Sequence, residues 1–211
     1  MTTKSLTLAV LGYGALSFAI WLHELGHSLA AYGFGCKAHW WQTDMSWYLW
    51  SSWGGNIDYQ CLRTRGSWAL GTTDFAGIAV NLLLLAAAPF LGCWWRSTSP
   101  SGSGASWWFI ATVLLALANY AEAFSYLVVN TLWLSSDMET VVTASHISQW
   151  VWLAVGTGLA IVVAGLLAAP VRRGALALGG SPSSARTWLV VLVLYVILAG
   201  GGMAVARFTL T

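Results

Sequence analysis

A short motif near the start of this 211-residue chain holds side chains suited to metal chemistry: residues 23–27 read HELGH. On an α-helix with 3.6 residues per turn, His23 and His27 lie on the same face, one turn apart. Two imidazoles at this spacing are able to bind one zinc ion, while Glu24 reaches a water molecule on the metal. Zinc acidifies that water and the carboxylate removes its proton, which generates a nucleophile for a peptide carbonyl. The motif therefore predicts a hydrolytic zinc site.

A chance occurrence of this motif is the alternative interpretation. The chain has only four His and seven Asp and Glu residues, so the expected number of HExxH matches is on the order of 10⁻³. The motif also stands in a long apolar stretch, where ionisable side chains are costly and persist when they have a function or a partner. A metal ion explains all three side chains, because it neutralises the carboxylate and uses both imidazole lone pairs.

A catalytic zinc usually has three protein ligands and one open position, so a third ligand is needed. The remaining candidates are Asp58, Asp74, Glu122, Asp137, Glu139, His39 and His146. If successive apolar segments alternate in direction, the third segment ends on the side of the HELGH motif, which brings Asp137 and Glu139 within range. Asp74 and His39 also fall near that side, whereas Glu122 is expected to lie too deep.

The composition predicts a membrane protein. Hydrophobic residues make up 58% of the chain and charged residues only 8%, against roughly 25% charged in soluble domains. A run of about 20 apolar residues spans a bilayer, and we find five such runs. They cover approximately residues 6–33, 74–95, 107–133, 147–171 and 187–206. We therefore expect an all-α, multi-pass protein of the cell membrane, with five transmembrane helices.

The long connection at residues 34–72 differs from an ordinary loop. It holds Trp40, Trp41 and three further Trp residues up to Trp53, while Gly, Asp and Asn interrupt any long helix. Tryptophan favours the membrane interface, and irregular backbone inside the bilayer is tolerated only against protein or a wet cavity. We expect this segment to lie in the interface or to re-enter the membrane. A cavity must also bring water to the zinc site.

The cysteines and the net charge exclude other kinds of site. Cys36, Cys61 and Cys93 are odd in number and lack CxxC spacing, which predicts neither a disulfide framework nor a cysteine zinc site. The net charge is only +2 and no basic cluster is present, so no nucleic-acid partner is expected.

Four segments resemble the site-2 proteases, which are zinc metalloproteases that work inside membranes. Residues 23–38 are similar to the HExxH helix of that family and the turn after it. Residues 53–55 (WGG) resemble the Gly-Gly of its membrane-embedded hairpin, and residues 76–81 (AGIAVN) resemble its AGPxxN helix. Residues 130–137 (NTLWLSSD) resemble the segment that ends in its LDG motif. The match covers about residues 5–140, the family's three-helix core.

The resemblance implies the composition of the metal centre. One zinc ion would be held by His23, His27 and Asp137, with Glu24 as the general base. Residue positions alone leave Glu139 as an alternative third ligand. Residues 1–140 would form the membrane-embedded protease core, and residues 141–211 two additional transmembrane helices.

Two amides and one acid complete the candidate residues. The resemblance implies that Asn81 and Asn130 bind the substrate backbone or the developing oxyanion, as preorganised amide donors do. The alternative is that both amides form hydrogen bonds between helices. Glu122 lies mid-way along the third apolar run, where it is either functional or a protonated acid bonded to a neighbouring helix.

The sequence also departs from the family pattern. Ile78 stands where proline is usual, Met138 follows Asp137 in place of glycine, and Ser135 and Ser136 replace the usual prolines. These departures keep open a non-proteolytic relative that acts as a structural or assembly subunit beside other membrane subunits.

The predicted activity is endoproteolysis within membranes. The resemblance implies a metalloendopeptidase that cleaves peptide bonds in or near the transmembrane segment of another membrane protein, at a site open to the cytosol. A metal transporter is the third interpretation, but it needs ionisable residues along a path through several spans, and beyond Glu122 they are missing.

Overall fold

A computed structural model describes residues 3–44, 56–91, 107–179 and 181–210. The described elements are helical. They are α1 (Thr3–Gly33), α2 (Tyr59–Arg65), α3 (Ser67–Leu91), α4 (Trp107–Phe124), a π-helix (Ser125–Asn130), α5 (Thr131–Trp133), α6 (Asp137–Ser145), α7 (Gln149–Gly179) and α8 (Pro182–Leu210). Trp47, Trp50 and the proposed hairpin residues 53–55 lie outside the described residues.

Among the described residues, five helical segments are long and apolar enough to cross a membrane. They are Thr3–Gly33, Ser67–Leu91, Trp107–Trp133, Gln149–Gly179 and Ser183–Gly200. The prediction of an all-α protein with five candidate spans is therefore confirmed for the described part of the chain. The second span begins at residue 67 rather than 74, because Gly66 (φ 109°) ends α2 and residues 67–73 (SWALGTT) continue directly into α3. Within the expected irregular connection, residues 59–65 and 67–72 are therefore helical.

The third span lies at the centre of the bundle. In its most apolar window 72% of the residues are buried inside the protein, against 11–33% in the other four spans. Phe109, Val113 and Leu117 of α4 form the main core with apolar residues of α1, α3, α7 and α8. The remaining spans turn most of their apolar surface outward, as expected of helices that face lipid.

One end of the bundle is identified by contacts between α1, α7 and α8. The Lys4 ammonium donates a hydrogen bond to the Leu178 carbonyl over 3.4 Å, so the start of α1 and the end of α7 lie together. Tyr195 of α8 donates to the Gly12 carbonyl over 2.9 Å. The HELGH end of α1 therefore lies at the opposite end, where α3 begins.

A π-helix interrupts the third span at Ser125–Asn130. Such segments occur frequently at functional sites in helices. Tyr126 and Asn130 are both fully buried here, and the Tyr126 carbonyl accepts a hydrogen bond from Thr131 Oγ1 over 3.1 Å. The π-helix thus directs two polar side chains toward the interior of the bundle.

A tight turn between α5 and α6 makes Asp137 the first residue of α6. Leu134 and Ser136 have φ values of 47° and 55°, a region that residues other than glycine rarely adopt. The Ser135 amide donates to the Asn130 carbonyl over 3.0 Å. Backbone strain of this kind clusters at functional sites, and here it sets the direction in which Asp137 enters the bundle.

The prediction that the cysteines form no disulfide is wrong, because Cys36 and Cys61 form one. Cys36 follows α1 and is buried beside Leu62 and Ala69, and the Asp58 amide donates to its carbonyl over 3.0 Å. An odd cysteine count says nothing about which thiols the fold brings together. This pair meets only because α2 packs against the turn that follows α1.

Candidate metal centre

His23, His27 and Asp137 converge on one point in the structure. One potential ligand atom from each side chain lies within 4.8 Å of the other two. Asp137 Oδ2 is 3.4 Å from His23 Nε2 and 3.3 Å from His27 Nε2, and the two Nε2 atoms are 2.9 Å apart. Ligands about 2.0–2.2 Å from a tetrahedral metal are separated by roughly 3.3–3.6 Å. The two distances to Asp137 fit this separation, the distance between the imidazole nitrogens is shorter, and the three donor atoms are of the kinds that bind a metal ion.

The third member of this group is Asp137 and not Glu139. Glu139 lies two residues further along α6 with an exposed side chain, and it is absent from the described metal-binding group. The metal-binding group also contains none of the other candidates, namely His39, Asp58, Asp74, Glu122 and His146. Asp137 lies more than one hundred residues after the two histidines in the sequence, and the turn before α6 brings it next to them.

His27 is oriented by the backbone of α3. Its Nδ1 lies 2.8 Å from the Thr73 carbonyl oxygen. Since a carbonyl only accepts hydrogen bonds, Nδ1 carries the proton and the Nε2 lone pair is left for a metal. This is the usual arrangement around metal-bound histidines, in which a second partner sets the tautomer. The sequence contained no signal for Thr73, because its backbone and not its side chain is used.

His23 is held between Asn81 and Tyr126. Nδ2 of the Asn81 amide lies 3.2 Å from Nδ1 of His23. Oδ1 of the same amide has no hydrogen-bond partner among the described residues. A rotation of this amide by 180° would let Oδ1 accept the Nδ1 proton, which frees Nε2 for a metal. The Tyr126 ring stacks on the imidazole with a centroid distance of 4.5 Å and an angle of 18°. Asn81 therefore contacts a candidate ligand directly.

Replacing Asn81 with Leu should lower zinc affinity by about 10–100-fold, because outer partners of metal ligands contribute this much. Asn81→Asp should retain more affinity, since a carboxylate accepts the same Nδ1 proton. Competition with a zinc indicator measures both variants. Asn119→Leu is the matched control, because the partner of this buried amide among the described residues is the Leu115 carbonyl of its own helix, to which it donates over 2.8 Å. Equal loss in the Asn81 and Asn119 variants would contradict a specific role for Asn81.

Asn130 remains available to a further partner. It is fully buried at the end of the π-helix, and neither amide atom forms a hydrogen bond among the described residues. Hydrogen bonding between helices, the alternative for this side chain, is therefore not observed there. Its binding of substrate stays a prediction.

Glu24 lies beside the metal-binding group on α1. Its side chain is only 6% exposed, and its carboxylate interacts electrostatically with His27. A buried carboxylate next to two imidazoles is poorly solvated, and an adjacent cation would compensate for that cost. The position is consistent with a base that acts on a metal-bound water.

Gly77 of α3 leaves the space in which the two imidazoles meet. A Cβ atom at this position would lie 2.6 Å from His27 Nε2 and 2.8 Å from His23 Nε2. Gly26 makes the reciprocal approach, since a Cβ there would lie 2.7 Å from the Ala76 carbonyl oxygen. The two glycines allow α1 and α3 to pack with their backbones in contact. Gly77 belongs to the AGIAVN segment (residues 76–81), but the sequence pattern predicted no role for this glycine.

Replacing Gly77 with Ala should reduce zinc affinity by at least about tenfold, since the added methyl group displaces both ligand nitrogens. Equilibrium dialysis against buffered zinc measures the change. Gly165→Ala is the control, because a Cβ at this position on α7 meets nothing within 4 Å. If Gly77→Ala binds zinc as tightly as the wild type, the two imidazoles do not form the metal site.

The Asp137 carboxylate is the most open part of the group, with 22% of its side chain exposed against 1% and 6% for the imidazoles of His23 and His27. Burial alone would raise the pKa of Asp137, but the two imidazoles outweigh burial and hold this pKa well below its usual range. Thr140 also donates a hydrogen bond to the buried Asp74 carboxyl, which ties α6 to α3. Because Asp137 is the most exposed of the three side chains, the site opens at its Asp137 end.

Tyr59 of α2 stands near this opening. Burial, followed by the charges of Asp74, Asp137 and Glu24, raises the pKa of its phenol well above the usual range. The phenol therefore stays protonated and is able to donate a hydrogen bond. Sequence reasoning missed this residue, because a tyrosine in an aromatic-rich connection has no distinctive pattern.

An apolar cleft elsewhere in the bundle is not part of this site. It is lined by Leu82, Tyr120, Leu127, Gly156 and other residues of α3, α4, the π-helix and α7. It contains none of the candidate metal ligands. The predicted wet cavity at the metal centre stays a prediction.

No protein-family model, no curated protein and no solved structure matches this chain. A functional assignment therefore depends on the motifs and on the geometry of the metal-binding group.

Proposed function

We propose that this chain is an intramembrane zinc metalloendopeptidase of the site-2 protease type, which cleaves transmembrane segments of other proteins in the cell membrane. The observation that carries the proposal is the convergence of His23, His27 and Asp137 within metal-binding distance. It occurs in a protein whose described residues include five helices apolar enough to cross a membrane. Ionisable groups so placed are expensive unless they have a common function.

The donor set favours zinc in a catalytic arrangement. Two imidazole nitrogens and one carboxylate oxygen suit zinc. Structural zinc sites usually have four protein ligands, whereas catalytic sites have three and an open position. The described residues supply three. This count supports an enzyme over a relative in which the metal only stabilises the fold.

Each residue has a defined task in this mechanism. The zinc ion, when bound, supplies a Lewis acid that polarises the scissile carbonyl and acidifies a water molecule. Glu24 accepts the proton of that water and later delivers it to the leaving amine. Thr73 and Asn81 hold the imidazoles, and the Asn130 amide binds the substrate backbone.

The substrate must reach this site in an unwound form. A peptide bond within an intact helix is shielded by its own hydrogen bonds, so the target segment has to open locally before attack. The more exposed position of Asp137 supports entry from the end of the bundle at which α6 begins. This favours bonds near one end of a transmembrane segment over bonds at its centre.

The proposal is tested with purified protein in lipid nanodiscs and a fluorogenic peptide that contains a transmembrane segment. We expect cleavage that stops when zinc is chelated and returns when zinc is added, whereas a soluble peptide of similar length is cut poorly. Zinc binding without cleavage of any member of a diverse set of transmembrane peptides would favour the structural or assembly role.

A further inference from the structure

We infer that the metal centre opens on the oxidising, extracytoplasmic face of the membrane, and not toward the cytosol as the resemblance implies. The observation behind this inference is the disulfide between Cys36 and Cys61. The orientation stands independently of catalysis. Its consequence for substrates, cleavage near the outer membrane surface, rests on the proposed function.

The disulfide lies at the HELGH end of the bundle. Cys36 follows the last residue of α1, Gly33, by three positions, and Cys61 belongs to α2, which ends just before α3 begins at Ser67. Two backbone contacts support the link: the Cys36 carbonyl accepts from the Asp58 amide over 3.0 Å, and the Cys61 amide donates to Asp58 Oδ1 over 2.8 Å. The disulfide therefore joins the adjacent ends of two spans, on one side of the membrane.

The metal centre is close to the same membrane face. His27 lies six residues before the end of α1, and Thr73 six residues after the start of α3. Both positions are about 9 Å along the helix axis from the ends of their helices on that side. Asp137 begins α6, outside the candidate spans, and Tyr59 of the disulfide-bonded helix α2 interacts electrostatically with Asp137. Metal centre and disulfide share one side.

The redox chemistry then selects the compartment. Disulfides persist in oxidising compartments and are rare in the cytosol, where cellular thiol systems keep cysteines reduced. Formation of this bond removes two protons and two electrons from the Cys36 and Cys61 thiols. A thiol–disulfide exchange partner accepts them as its own disulfide becomes a dithiol. Such oxidising partners act on the extracytoplasmic side.

The distribution of basic residues does not oppose this orientation. Lysine and arginine favour the cytoplasmic side of short loops. The described basic residues at the N-terminal end of the bundle are Lys4, Arg172, Arg173 and Arg186, and those at the disulfide end are Lys37, Arg63, Arg65 and, near the end of α8, Arg207. With four basic residues at each end, this distribution favours neither orientation, and the assignment depends on the disulfide.

The consequence concerns the substrate. If the catalytic site faces outward, the scissile bond lies in the outer part of a transmembrane segment. The released product is then the extracytoplasmic portion of a membrane protein, shed from the cell surface or into the periplasm. A cytosolic factor would be released only by a site of the opposite orientation.

Orientation is tested on the full chain in bacterial spheroplasts with a membrane-impermeant maleimide. The background is Cys93→Ser, in which the disulfide leaves no reactive thiol. Thr143→Cys adds an exposed probe on α6, and Ser183→Cys adds an exposed probe at the opposite end. We expect labelling of the Thr143 variant in intact spheroplasts and of the Ser183 variant only after lysis. The reverse pattern would overturn the inference.

The state of the native cysteines is the second measurement. In the Cys93→Ser chain, alkylation under denaturing conditions should modify no cysteine before reduction and both Cys36 and Cys61 after it. Two free thiols before reduction would also overturn the inference. Neither measurement depends on proteolysis. If the orientation is the inferred one but the protein shows no zinc-dependent cleavage, only the proposed function is refuted.

Discussion

Asp137→Ala should remove zinc from the purified protein, with a loss of at least about 100-fold in affinity. The substitution deletes a direct ligand, and replacing a residue that only positions a ligand already lowers metal affinity by up to about 100-fold. The wild type should hold about one zinc ion per chain, as expected for a three-ligand site. The physical reason is that two imidazoles remain at 2.9 Å from each other without the carboxylate that neutralises the charge of the ion. Elemental analysis by mass spectrometry after dialysis against buffered zinc measures the loss.

Glu139→Ala is the matched control for this experiment. Glu139 occupies the same short helix, but its side chain is exposed and lies outside the metal-binding group. The Glu139 variant should retain wild-type zinc content, and both variants should elute as folded protein in size-exclusion chromatography. Retention of zinc in Asp137→Ala with loss in Glu139→Ala would show that α6 enters the bundle in a different register.

Glu24→Gln should lower turnover of a transmembrane peptide by about 10²–10⁴-fold, the usual contribution of a general base. Zinc content should stay unchanged, because Glu24 is not a member of the metal-binding group. Glutamine preserves the size of the buried side chain but is unable to accept the proton of a metal-bound water. Initial rates of peptide cleavage, normalised to bound zinc, provide the measurement.

The same variant separates the two rival functions. A structural or assembly subunit would keep its cellular function in Glu24→Gln, because the metal and the fold are preserved. Glu139→Gln makes the identical chemical change at an exposed position and should leave both zinc content and turnover unaffected. Full peptide cleavage by Glu24→Gln would exclude Glu24 as the base and with it the proposed mechanism.

The sequence alone determined the features that depend on local pattern. Five candidate spans followed from composition and from the length of apolar runs, and the third was placed correctly at residues 107–133. The pairing of His23 with His27 followed from helical periodicity, because residues four apart share a face in any α-helix. Span ends were less accurate: α3 begins at Ser67 and not at Asp74, because residues 71–73 (GTT) interrupt the apolar run without interrupting the helix.

Tertiary structure alone decided which distant groups meet. The choice of Asp137 over Glu139 depends on the turn before α6, and the disulfide of Cys36 with Cys61 depends on how α2 packs. The role of Gly77 also became visible only where α3 crosses the two imidazoles. These contacts join residues far apart in the chain, and a local pattern carries no information about the angles at which helices cross. The sequence thus specifies which chemical groups the chain carries, and the packing of the helices determines which of them act together.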